Sequence, residues 1–171
     1  QLAGGDIYPA LEKGTLDAAE WVGPYDDEKL GFFKVAKYYY YPGFWEGGPT
    51  ISNYCNLEQW AKLPKHYQAA FESACAESNL DMQAKYDVLN IDAVKRLVGQ
   101  GTQLRAYPKD VMVAAQNAAF ELYDEISKEN PTFANIFTHW KKFRDDMHLW
   151  WRVAEFNYDS FVLSNPVGKK K

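Results

Sequence analysis

With 171 residues and a formal net charge of −4, the chain has room for one domain or a little more and lacks the basic face that a nucleic acid needs. Hydrophobic residues at 47% and charged ones at 25% exclude disorder, and no apolar run approaches the ~20 residues of a membrane helix. The aromatic share is unusual: six Trp, twelve Tyr and ten Phe make 16%, a surplus that must line a core, an interface or a ligand cleft.

In chain order, Asp6 reads as the N-cap of a helix over 7–13, with Pro9 in its first turn and Gly14 as its stop. Residues 16–22 read as a strand closed by Gly23-Pro24. Asp26 and Asp27 then cap a helix that runs to about residue 40, where Pro42-Gly43 ends it. The breaker-rich segment 42–49 leads into a second strand, 50–54. Asn56 followed by Gln59 resembles a capping box for a short helix. Residues 65–98 hold neither Gly nor Pro and repeat apolar positions at helical spacing. One helix of that length spans about 50 Å, whereas a compact domain of this size has a radius of gyration of about 15 Å. Either it breaks, near Asn79 or Asn90, or it belongs to something larger than this chain. A third strand over 102–107 and helices over 108–130 and 131–163 complete the chain. Phe133, Phe137, Trp140, Met147, Trp151, Ala154 and Tyr158 form a stripe along the last helix that faces a core or a partner. These elements divide the chain into an α/β ligand-cleft portion (1–64), a middle portion of long helix, strand and helix (65–130), and a C-terminal aromatic helix with a basic tail (131–171). Three strands are too little sheet to stand alone, so the class is α/β, as half of a two-lobed protein.

Two breaker-flanked segments set an acid beside tryptophan: Glu20-Trp21 before Gly23-Pro24, and Trp45-Glu46 before Gly47-Gly48. Carboxylates among apolar neighbours are costly unless protonated, paired or metal-bound. Two converging acids fit a hard cation, sodium or calcium. They fit equally an acid–base pair of a glycosidase-like hydrolase, or plain local salt bridges to Lys or Arg. The 131–161 stripe also allows a helical interaction protein. Cys55 and Cys75 lack metal spacing and read as two small buried hydrophobes, or as one disulfide in an oxidising compartment. His66, His139 and His148 share no ligand spacing and read as non-catalytic. Lys169-Lys170-Lys171 reads as a solvated tail end. The chain opens at Gln1 with neither Met nor a leader pattern, as a processed or truncated chain does.

The stretch from Gly4 to Pro24, with its Leu11-Glu12-Lys13-Gly14 helix end and the segment from Asp17 to Glu20-Trp21, resembles the solute receptors of tripartite ATP-independent periplasmic (TRAP) transporters. With Phe44-Trp45-Glu46 it is similar to the branch that binds 2-oxo or 2-hydroxy monocarboxylates. The resemblance covers nearly the whole chain, which corresponds to the C-terminal half of such a receptor. It implies a helix-rich α/β fold of the periplasmic-binding-protein kind with a long spanning helix, and a receptor, not an enzyme. It also implies a periplasmic location, delivery to TRAP membrane subunits and a homodimer through the aromatic helix. At the site it implies that Glu20, the Trp21 backbone carbonyl and Glu46 hold a sodium or calcium ion, with Trp21 and Trp45 against the ligand. The arginine that pairs with the ligand carboxylate in that family comes from its N-terminal portion, and no arginine here takes that role.

Overall fold

The computed structural model describes residues 1–48, 50–165 and 167; the expected basic tail, 169–171, lies outside the described residues. The chain forms two compact units, Gln1–Pro108 and Lys109–Lys171, and the junctions expected at 64 and 130 are turns between helices inside them.

In the first unit, α1 (Gly4–Glu12) begins two residues before Asp6, so Asp6 sits in its first turn and Ala3 is an N-cap with no side-chain bond. Gly14, at φ 69°, turns the chain away from α1 as the sequence implies. Residues 16–22 form no strand, and neither do 50–54. A strand exists only beside a partner that takes its backbone hydrogen bonds, and among the described residues nothing pairs with either segment. Pro24 opens α2 (Pro24–Leu30), with Asp26 and Asp27 at the positive end of its dipole and not at its cap. The expected continuation to residue 40 fails at Gly31, whose φ of 74° ends the helix in a left-handed cap. After a 3-10 turn (Phe32–Lys34) the four tyrosines Tyr38–Tyr41 form β1, as consecutive aromatic residues favour on a pleated surface.

β1 pairs in parallel with β2 (Gln103–Ala106), the expected third strand, in register from Tyr38↔Gln103 to Tyr41↔Ala106. A parallel pair requires a crossover. It is made by α3 (Leu57–Lys62) and α4 (Lys65–Gly99). Asn56 caps α3 as expected, accepting from the Glu58 and Gln59 amides at 3.0 and 3.1 Å. α4 runs its 35 residues without a break at Asn79 or Asn90, about 50 Å at helical rise. Its C-terminal half holds α2. Asn90 Oδ1 accepts from the Tyr25 amide at 3.0 Å, Tyr86 donates to Asp26 at 2.6 Å, and Arg96 grips Glu28 through two bonds of 2.8 and 2.7 Å. The buried apolar residues among those described are Ile7, Ala93 and Leu97, all in this unit.

In the second unit α5 (Lys109–Glu129) and α6 (Pro131–Val153) form a hairpin, with Pro131 at the start of α6 and Asn130 capping it through the Phe133 amide at 3.0 Å. Phe133, Phe137 and Trp140 pack with Phe120, Tyr123 and the Arg144 guanidinium, so half of the expected stripe lies along the seam of the hairpin, half-buried at Phe133 and Phe137 and exposed at Trp140. The expected single helix over 131–163 breaks at Ala154 (φ −87°, ψ −91°), where α7 (Glu155–Ser164) begins. The helix-rich α/β class with short strands and one long helix stands as the sequence implies.

Candidate functional site

A cavity of about 600 Å3 opens in the first unit. Residues 16–23 form one wall, the 3-10 turn and β1 another, and Trp45 and Tyr107 close one side above a floor of Leu97 and Thr102. Because 16–23 carries no ladder bonds, its path is set by contacts at its two ends. Gly4 of α1 lies so close to the Trp21 indole that a Cβ there would stand 2.6 Å from its Cη2 atom. At the other end Asp27, only 8% exposed, turns back from α2 to accept from the Val22 amide at 3.4 Å and from the Tyr39 hydroxyl at 2.5 Å. One carboxylate thus joins the Glu20-Trp21 segment, α2 and β1.

Burial raises the Asp27 pKa above the ordinary carboxylate value, and the bonds from Tyr39, Val22 and Gly23 hold back part of that rise. Burial, and then the bond to Asp27, push the Tyr39 hydroxyl far above its ordinary value. Outside the cavity, the Arg96 guanidinium lowers the pKa of Glu28.

Of the residues expected at the site, Glu20, Trp21 and Trp45 line this one cavity. Glu46 is exposed and does not line it. Neither glutamate forms an ion pair among the described residues, so the local salt bridges that the sequence allowed are not made. Trp45 is held in an aromatic cluster, with Phe44 at 4.6 Å and Tyr107 at 6.2 Å between ring centroids, and Tyr40 packs on Tyr107 at 5.2 Å. Sequence reasoning missed Asp17, Lys37, Thr102, Tyr107 and the Asp27–Tyr39 pair, all on the cavity wall. The tyrosine run was their signal: read as a strand, it places Tyr39 and its neighbours beside residues 102–107. The Thr102 hydroxyl is buried with no partner among the described residues.

The donors suit a hard cation in kind, because the Glu20 and Asp17 carboxylates and the Trp21 carbonyl are all oxygen ligands. They do not suffice in number. No cluster of three or more His, Cys, Asp or Glu able to hold a metal occurs among the described residues, whereas calcium takes about six to eight oxygens. The chain's own residues fit one part of such a shell.

Residues 1–130 match the family described as bacterial extracellular solute-binding protein, family 7 (DctP). The chain is 48% identical over 164 residues to a monocarboxylate 2-oxoacid-binding periplasmic protein of Nostoc sp. PCC 7120, covering 96% of this chain and 45% of that protein. A TRAP transporter solute-binding protein of Bordetella bronchiseptica RB50 superposes with a TM-score of 0.92 at 51% identity, over 96% of this chain and 49% of the other. That structure is a mixed-occupancy dimer with copurified calcium and picolinate in one active site. A TRAP periplasmic solute-binding protein of Pseudoalteromonas atlantica T6c, with bound sodium and pyruvate, gives 0.82 at 29% identity, over 93% and 49%. The chain therefore spans about half the length of the relatives it matches.

Proposed function

The chain belongs to the bacterial extracellular solute-binding protein family 7, whose members are transporter receptors and not enzymes, and from that premise we propose that it forms one side of a metal-dependent receptor for small 2-oxo or 2-hydroxy carboxylates. The observation that carries the proposal is the cavity wall on which Trp21, Trp45 and the Glu20 carboxylate, which has no ion pair among the described residues, converge. Glu20 and the Trp21 carbonyl hold sodium or calcium at the cavity, and Glu46, outside the lining and next to Trp45, supports that shell from the adjoining segment. Trp21 and Trp45 cover the organic part of the ligand and exclude water.

The charge on this wall explains why a cation is needed. Among the described residues the lining sets three acids, Asp17, Glu20 and Asp27, against the single cation Lys37, so it stays net acidic and repels an organic anion until a bound cation reverses the local sign. The ligand class follows from chemistry that the relatives share. Pyruvate and picolinate each carry a carboxylate with a second donor atom on the adjacent carbon, a keto oxygen or a ring nitrogen. Such a ligand closes a five-membered chelate ring on one cation, which a simple carboxylate cannot do. The name of the Nostoc relative supports the same class. The receptor works in the periplasm and delivers its ligand to TRAP membrane subunits. The Bordetella dimer and the exposed aromatic residues Trp151, Phe156 and Phe161 support a homodimer through α6 and α7.

Calorimetric titration tests this with the chain alone and with the chain supplemented by the other half of the Bordetella relative. Pyruvate, lactate, 2-oxobutyrate and succinate are titrated in sodium, in calcium, or in chelator in a sodium-free buffer. The expected result is binding of the first three, lost in chelator. Undiminished binding in chelator, or a preference for succinate, overturns the proposal.

A further inference from the structure

The helical hairpin of α3 and α4 lays the stretch that leads into α3, with Cys55, beside the helix that carries Cys75. α4 runs back along α3: Gln68 Nε2 donates to the Trp60 carbonyl at 2.7 Å and to that of Leu63 at 3.1 Å, and the Trp60 and Phe71 rings meet edge to face at 5.7 Å. Farther from the bend, Asn53 Nδ2 donates to the Cys75 sulfur at 3.5 Å. Cys55 follows Asn53 by two residues in a non-helical segment that enters α3 through the extended Asn56 (φ −62°, ψ 130°). In extended chain, side chains two apart leave the same side. The bond from Asn53 therefore lays the stretch that carries Cys55 alongside α4 at Cys75, and a disulfide requires the two Cα atoms to stand about 4.4–6.8 Å apart. Both thiols are free, Cys55 exposed and Cys75 half-buried.

We infer that Cys55 and Cys75 join in an intramolecular disulfide when the chain meets an oxidising milieu, fastening the segment that carries Trp45 and Glu46 to α4. The oxidant is an external disulfide, a class that persists where extracellular proteins fold. The exposed Cys55 thiolate attacks one sulfur of that disulfide, whose S–S bond breaks, and the departing thiolate takes up a proton. The Cys75 thiolate then attacks the Cys55 sulfur of the mixed disulfide and expels the second thiolate, which is protonated in turn. Two protein thiols lose two electrons and two protons, and the external disulfide gains them. The product closes the loop from 55 to 75 around α3. That loop is unconstrained in the reduced unfolded chain, so oxidation raises stability.

The test uses the 171-residue chain, reduced and then equilibrated with oxidised glutathione. It needs no ligand or metal, so it stands apart from the receptor proposal. Intact and peptide mass spectrometry is expected to show the monomer lighter by two hydrogens, with a cross-linked peptide pair containing Cys55 and Cys75, and a melting midpoint above that of the reduced chain. Cys55→Ser and Cys75→Ser should each retain a single glutathione adduct and show no redox-dependent gain in midpoint. Glutathione on both cysteines of the parent chain, unreacted thiols, or cross-links only between chains would overturn the inference.

Discussion

Replacing Tyr39 with Phe removes one hydroxyl and isolates the effect of the Asp27 junction. Asp27 is 8% exposed, and its carboxylate accepts from the Tyr39 hydroxyl at 2.5 Å and from the Val22 amide at 3.4 Å. A hydrogen bond to a charged, buried acceptor contributes about 1.5–3 kcal/mol, so the loss at pH 7 is set at about 2 kcal/mol. For a chain of this length that corresponds to a melting midpoint lower by about 4–8 °C. The pH dependence gives the sharper test. Because the folded-state pKa of Asp27 is raised, the native chain binds this proton more readily than the unfolded chain. Its stability then falls as pH rises from the ordinary carboxylate value of about 3.9 through the raised folded value, and levels off above it. Losing the Tyr39 bond, which favours the ionised form, raises that pKa further and steepens the fall. The stability difference between parent and Tyr39→Phe should therefore be largest at neutral pH and shrink toward about 1 kcal/mol or less once Asp27 is protonated, below about pH 3.5. Urea unfolding followed by circular dichroism across this range measures it. An equal loss at both ends of the range, or none at neutral pH, would refute the assignment of Asp27 as a buried, ionised acceptor.

Gly4→Ala should displace the Trp21 indole from its 2.6 Å approach with little cost to α1, since Ala is the better helix former; its indole N–H resonance moves and ligand affinity falls, and an unmoved resonance contradicts the packing. Leu97→Ala, at a residue 1% exposed on the cavity floor, should cost about 2–5 kcal/mol in urea unfolding; a loss under about 1 kcal/mol would mean that this floor is not a packed core. Glu20→Gln should abolish metal-dependent stabilisation by pyruvate and leave the metal-free melting midpoint within about 1 °C, because Glu20 is exposed and forms no ion pair among the described residues; a surviving metal-dependent shift would remove Glu20 from the cation site.

The helices were legible because their signals are local. The absence of Gly and Pro from 65–98 and the cap at Asn56 both act within one or two turns, and the structure places α3 and α4 where those signals put them. The strands were less legible. Residues 16–22 and 50–54 look extended, but a strand is a property of a pair, and no partner lies beside them among the described residues. Conversely, the sequence reads Tyr38–Tyr41 as the end of a helix, whereas Gly31 stops that helix earlier with φ 74°. Of the site, Glu20, Trp21 and Trp45 were legible as acid and aromatic residues among chain breakers. The Asp27–Tyr39 bond was not, because the two side chains are brought together only once α2 packs on α4 and β1 pairs with β2.

The amino-acid order by itself determined the helix-rich α/β class, the long uninterrupted helix, the family resemblance and the tryptophan-flanked acids, since each depends on neighbours within a few residues or on a motif in order. Tertiary structure alone decided which of those residues share a cavity. It set Trp21 against Gly4, brought Trp45 to Tyr107 and left Glu46 outside the wall. It also turned Asp27 from an expected cap into a buried junction. Those outcomes depend on contacts between residues far apart in the chain, and no local periodicity or spacing encodes them.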